Sequence, residues 1–158
     1  MMTTGLVYAL IGAALSAGLA GIGSAMGVTY AGKAAAGVVS EKPELFGKAL
    51  ILQALPGTQG IYGFLVAILI LIKVQLIGGN PLPITNEQGL GFFAASLPIA
   101  IVGLLSGIYQ GKTAASAIAM TAKRPELSVR GMTMTALVET YAILALLVSI
   151  LMYSAITV

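Results

Sequence analysis

One carboxylate, Glu139, lies inside the last long apolar run of the 158-residue chain, and the side chains able to act with it are amides and hydroxyls. They are Thr58, Gln59 and Tyr62 in one run and Gln110 in another. A carboxylate in hydrocarbon costs on the order of 2.5–3.5 kcal/mol on insertion scales, so it is a functional candidate by default. Its plainer alternative is a protonated acid serving only as a hydrogen-bond donor between helices. Glu139 falls about eight residues into its run, roughly 12 Å from the start of a helix. Leu55, Thr58, Gln59 and Tyr62 recur at i, i+3, i+4 and i+7, which sets them on one helical face. Just ahead, Pro56 has no N–H for the carbonyl of Leu52, and Pro56-Gly57 is expected to loosen that turn. Unwound carbonyls at membrane depth can coordinate sodium, whereas a simple proline kink would do nothing further. Gln110 alone would read as a snorkelling residue near a helix end. Taken together, one carboxylate, two amides, one hydroxyl and one freed carbonyl are hard oxygen donors, suited to a hard cation.

The elements that must position these groups follow from composition. Hydrophobic residues make up 58% of the chain and charged residues 8%, with a mean hydropathy of +1.02, far from the makeup of a soluble domain. A membrane-spanning helix needs roughly 20 mainly apolar residues. Four stretches qualify: Leu6 to Tyr30, Ala49 to Ile72, Gly91 to Ile118 and Gly131 to Ser154. The chain has no cysteine and no histidine, so disulfides, thiol chemistry and the usual zinc ligands are excluded. Met1 to Gly5 carries no Lys or Arg ahead of an apolar run too long for a cleavable signal, so the first helix is expected to be retained. The net charge of +3 comes from residues beside the spans, not from a basic face with interleaved aromatics, so no nucleic-acid partner is expected.

Lys33, Lys42 and Lys48 flank the first connection, and Lys112, Lys123, Arg124 and Arg130 flank the third. The positive-inside tendency places both hairpin loops in the cytoplasm. The middle connection from Gly78 to Glu87 has no basic residue. That loop and both termini should lie outside, with Lys73 snorkelling at a helix end. Sliding the sequence along itself at an offset of 82 pairs Lys42-Pro43-Glu44-Leu45 with Arg124-Pro125-Glu126-Leu127, Gly21 with Gly103, Ser24 with Ser106 and Thr58 with Thr140. The chain therefore reads as two tandem-duplicated helical hairpins, 1–79 and 80–158, in an all-α membrane protein of four transmembrane helices. Gly57 occupies in the first hairpin the place of Glu139 in the second. Small residues crowd the first helix, among them Gly18, Gly21, Gly23, Ser24 and Gly27, and recur in the third at Gly103, Gly107 and Gly111. Such spacing lets backbones approach closely, in the inner layer of an oligomeric ring or within one four-helix bundle. The run GIGSAMG lacks the strand–turn–helix setting of a dinucleotide fingerprint, and the chain has no P-loop.

At LPGTQGIYG (Leu55 to Gly63), LSGIYQGK (Leu105 to Lys112) and VETYAIL (Val138 to Leu144), the sequence resembles the K subunit, or proteolipid, of bacterial V-type sodium ATPases. The likeness covers nearly the whole chain. It implies a non-hydrolytic subunit of the bacterial cell membrane, in a ring of identical copies that turns within membrane lipid. The ring would turn against a static membrane subunit bearing an essential arginine and couple through a central stalk to an ATP-hydrolysing head. The stalk would meet the loops around Ser40 to Leu45 and Ala122 to Leu127. Carried over residue by residue, the Na+ ligands would be the Leu55 carbonyl, the Thr58 hydroxyl, the Gln59 and Gln110 carbonyls and the Glu139 carboxylate, with Tyr62 steadying Glu139.

The nearest rival is a proton-translocating rotor subunit of the same architecture, for which the oxygen cage would be unnecessary. A small four-helix drug/proton antiporter also depends on one membrane glutamate, but in that family it stands in the first helix among aromatic residues. A purely structural or pore-forming oligomer would make no use of Thr58, Gln59, Gln110 and Glu139.

Overall fold

The computed structural model describes residues 3–158; Met1 and Met2, which open the segment read above as lacking a basic leader, lie outside them. Helix α1 (Thr4–Glu41) leads through a 3-10 turn (Pro43–Leu45) into α2 (Phe46–Ala54). A second 3-10 turn (Leu55–Gly57) joins α2 to α3 (Thr58–Lys73). After the middle loop come α4 (Asn86–Lys123), a third 3-10 turn (Pro125–Leu127) and α5 (Ser128–Ala155). Among the described residues, four helical runs are long and apolar enough to cross a membrane: Thr4–Glu41, Pro43–Lys73, Asn86–Lys123 and Pro125–Ala155.

Each run outlasts its apolar window. With 38 residues, α1 and α4 are each about 57 Å long, against a hydrocarbon thickness of about 30 Å. A helix that satisfies its own backbone needs no lipid to continue, and Ala- and Gly-rich residues 31–41 carry α1 onward. Both long helices start from a threonine cap. The Thr3 hydroxyl accepts from the Leu6 N–H, and Thr85 with Gln88 forms a reciprocal capping box. The element boundaries themselves recur at 82 residues: Thr4 and Asn86, Glu41 and Lys123, Pro43 and Pro125, Phe46 and Ser128.

The spine of the bundle is the contact between α1 and α4, and glycine makes it possible. A Cβ added to Gly107 would lie 2.6 Å from the carbonyl carbon of Gly23, and one added to Gly23 2.6 Å from the Leu104 Cα. Gly5 and Gly89, and Gly27 and Gly111, meet in the same way, backbone against backbone. Lipid tails are as apolar as side chains, so such packing and hydrogen bonds, not expulsion from water, hold the helices together. Helix α3 seats Gly63 on Ser16 and Ala20 of α1, while Gly131 of α5 seats on Ala117 and Met120 of α4. One buried cluster, with Leu6, Ile70, Phe92 and Ile99, fills the end near the middle loop. A second, with Ala31, Leu52, Ala114 and Ile118, fills the other end. The polar groups described below lie between them. The outward faces of α3 and α5 are apolar and exposed, as at Ile61, Phe64, Leu137, Tyr141 and Leu144.

Three lysines tie the hairpins together. Lys42 Nζ donates to the Ala122 carbonyl at 2.6 Å and Lys48 Nζ to the Pro125 carbonyl at 3.0 Å, so the two basic turns are cross-braced. Lys73 does not snorkel outward. Its ammonium turns inward, donates to the Tyr153 carbonyl at 3.0 Å and lies 4.5 Å from the centre of the Tyr153 ring. The carbonyls of the last turn of α5 carry the negative end of the helix dipole, which attracts it there.

Candidate cation site

Glu139 stands eleven residues into α5, about 17 Å along it, deeper than its place in the apolar window implied because α5 begins at Ser128. Its side chain is half-buried, on the side of α5 that meets α3 and α4. Tyr62 of α3 donates its hydroxyl to Glu139 Oε1 at 2.5 Å. From α4, Gln110 Nε2 donates to Glu139 Oε2 at 3.4 Å and to the Thr135 carbonyl at 3.2 Å. The Gln110 carbonyl in turn accepts from Gln59 Nε2 at 2.5 Å. Gln59, Gln110 and Thr135 are fully buried. Residues 77 and 29 positions apart from Glu139 in sequence thus converge on one carboxylate.

The second span does not unwind at Pro56-Gly57. Leu55–Gly57 forms a tightened 3-10 turn with right-handed helical backbone on either side, because losing one N–H removes a single i to i−4 bond and i to i+3 bonding bridges the gap. The Leu55 carbonyl accepts from the Thr58 N–H and from the Thr58 hydroxyl at 3.1 Å. Thr58 keeps its oxygen lone pairs, one turn before Tyr62 on the same face. Ser24 of α1 pins this segment, its hydroxyl accepting from the Gly60 N–H at 2.7 Å.

One expectation is altered in detail. Gln110 presents its amide nitrogen, not its carbonyl, to Glu139. The Thr135 carbonyl and the carboxylate can only accept from it, so the nitrogen faces them and the oxygen faces Gln59. Among the described residues, Gln59 Oε1 is the buried side-chain polar atom left with no hydrogen-bond partner. A buried amide oxygen without a donor carries a desolvation cost of about 1–3 kcal/mol, and a cation beside it would remove that cost. The donor set therefore fits a hard cation. No cluster of three His, Cys, Asp or Glu residues occurs among the described residues, so the ligands would be one carboxylate with neutral oxygens.

Sequence reasoning passed over Ser106, noted only as the repeat partner of Ser24. Its hydroxyl accepts from Gln59 Nε2 at 3.3 Å and donates to the Val138 carbonyl at 3.1 Å. A serine inside an otherwise small and apolar stripe was the available signal. Among the described residues, no carboxylate stands at the matching place in the first hairpin. A Cβ at Gly57 would meet only Val28 Cγ2, at 3.8 Å, and Val28 stands where the repeat offset places Gln110 in the second hairpin.

The profile of the ATP synthase C-subunit family matches the chain twice, at residues 11–70 and 93–152. Among curated proteins, the chain is 50% identical to the K subunit of the V-type sodium ATPase of Enterococcus hirae, over 94% of this chain and 91% of that protein. It is 40% identical to the K subunit of the A-type ATP synthase of Methanocaldococcus jannaschii, over 96% of this chain and 64% of that one. It is 27% identical to the 16 kDa proteolipid of the V-type proton ATPase of Nephrops norvegicus, over 93% and 90%.

Proposed function

Because the chain belongs to the ATP synthase C-subunit family, a family of ring-forming proteolipids of rotary ATPases, we propose that it carries sodium at Glu139 as the rotor ring turns. It is a multi-pass membrane subunit and hydrolyses nothing itself. The observation that carries the sodium reading is the buried, partnerless Gln59 Oε1 on an amide bonded to Gln110, which with Tyr62 holds the carboxylate. A proton needs only the carboxylate, whereas a cation needs further oxygens. The sodium in the name of the half-identical Enterococcus hirae protein supports the same reading.

In this reading the ligands are the Leu55 carbonyl, the Thr58 hydroxyl, the Gln59 carbonyl and the Glu139 carboxylate. Gln110 joins them when its amide turns over about its terminal torsion, a broad two-fold rotor. A carboxylate paired with Na+ is close to neutral, so a loaded site can pass the lipid without a bare charge in hydrocarbon. An emptied site cannot do so cheaply. It must exchange its ion where a static subunit supplies water and an arginine, and that requirement ties transport to rotation. The hairpins 1–79 and 80–158 descend from a duplication in which only the second retains the acid, so each four-helix chain carries one ion. Both basic turns face the cytoplasm, braced by Lys42 and Lys48, and meet the central stalk there; the termini lie outside, in a bacterial cell membrane.

The test is modification of Glu139 by a hydrophobic carbodiimide in purified rings at fixed pH. Millimolar sodium should slow the reaction, and Glu139→Gln should abolish it while rings still assemble. Labelling indifferent to sodium would establish the proton-carrying alternative instead.

A further inference from the structure

The geometry points to Ser106 as a positioning residue that fixes which end of the Gln59 amide faces the cation, an inference that rests on the sodium reading above. The hydroxyl of Ser106 has one proton, and it is donated to the Val138 carbonyl at 3.1 Å. That carbonyl can only accept, so the hydroxyl offers Gln59 nothing but lone pairs. Gln59 answers with Nε2 at 3.3 Å, and the same nitrogen donates to Gln110 Oε1 at 2.5 Å. Were the Gln59 amide reversed, its oxygen would face two acceptors with no proton between them. The nitrogen is therefore held on the Ser106 side, and the carbonyl is the end left buried and without a partner.

Of the two acceptors, Ser106 is the permanent one. When Gln110 turns its carbonyl toward an ion beside Glu139, its amide N–H groups take the place of that acceptor opposite Gln59 and favour a reversed Gln59 amide, so the lone pairs of Ser106 are then what holds Gln59 Nε2 in place and its carbonyl toward the ion. Ser106 also ties Gln59 to the carboxylate's own backbone, because Val138 immediately precedes Glu139. One hydroxyl on α4 thus links a ligand on α3 to the residue before a ligand on α5. Ser106 is not itself a ligand in this arrangement: its proton and one lone pair are committed within the network.

An isosteric pair tests this. Ser106 borders a surface cavity lined by Val102, Tyr109, Val138 and Tyr141, and both variants add the same γ-methyl, so its steric effect is common to the two. Ser106→Thr keeps the hydroxyl, and Ser106→Val replaces it with a methyl of the same shape. The readout is the sodium concentration that half-protects Glu139 from carbodiimide in assembled rings. Ser106→Val should raise it about 3- to 10-fold, the worth of one lost neutral hydrogen bond, and Ser106→Thr should stay within about twofold of the parent. Labelling rates without sodium should be alike in all three. Equal midpoints for Thr and Val overturn the inference, whether both match the parent or both are displaced. If neither variant assembles, Ser106→Ala against the parent decides it by the same criterion. Protection by sodium in the parent ring with no Thr/Val difference removes only the role of Ser106; no protection in the parent ring removes the sodium reading and this inference with it.

Discussion

Replacing Gly111 with alanine should damage the proposed ion site through packing alone. A Cβ on Gly111 would stand 2.6 Å from the carbonyl carbon of Gly27 and closer still to its Cα and oxygen. Ordinary carbon contacts lie at about 3.5–4.0 Å, so α1 and α4 must part by about 1 Å at this level. Backbone faces backbone here, and no side-chain rotamer can absorb the strain. Overpacking of this kind costs about 1–3 kcal/mol. The neighbouring residue is Gln110, whose bond to Glu139 is already long at 3.4 Å. Gln110 rides on α4 and Glu139 on α5, so a shift of α4 off α1 displaces the amide against the carboxylate, and a few tenths of an ångström suffice to take that contact beyond hydrogen-bonding range. The loaded site needs the Gln110 carbonyl on the ion, and withdrawing a group that contributes about as much as a hydrogen bond to a charged partner, about 1.5–3 kcal/mol, implies at its weak end about a tenfold rise in the sodium concentration needed to protect Glu139. Thermal dissociation of detergent-solubilised rings and carbodiimide protection read the two effects. Gly37→Ala is the control, because an added Cβ there meets no atom within 4 Å, and alanine is the better helix former by up to about 1 kcal/mol. A Gly111→Ala ring with the parent's thermal stability and sodium midpoint would refute the reasoning.

Tyr62→Phe removes the bond from α3 to the Glu139 carboxylate; if that bond closes the proposed site, radiolabelled sodium should leave purified rings about tenfold faster or more, and an unchanged rate would show that the hydroxyl does not gate release. Lys73→Met removes the contact with the Tyr153 carbonyl and ring and should lower the dissociation temperature of the ring, by the loss of about 1.5–3 kcal/mol, without moving the sodium midpoint. Gly57→Glu has room for its Cβ beside Val28, which stands where the second hairpin has Gln110, so labelled rings should still hold one sodium per chain; two per chain by native mass spectrometry would mean that the set around Glu139 is not required.

The chain's own residues determined much of this in advance. Apolar runs of spanning length have essentially one outcome in lipid, where each backbone group must be bonded within its own helix, so the four helices and the solitary acid were legible from residue types alone. The repeat was legible because a charged Pro-Glu-Leu turn survives in register in both halves. The set Leu55, Thr58, Gln59 and Tyr62 could be placed on one face because helical spacing fixes direction. Helix lengths were underestimated, since hydropathy reports the lipid boundary and not where a helix stops. Tertiary structure alone decided that Tyr62 and Gln110 donate to opposite oxygens of Glu139, that Gln59 Oε1 is the end left unpaired, and that Ser106 stands behind it. Those facts depend on which atoms of three separate helices come within about 3 Å, and that depends on how closely α1 and α4 pack. A hydrogen-bond direction belongs to the pair of groups that meet. Lys73 shows the same limit: its place at a helix end was evident, but the carbonyl it turns toward lies 80 residues away.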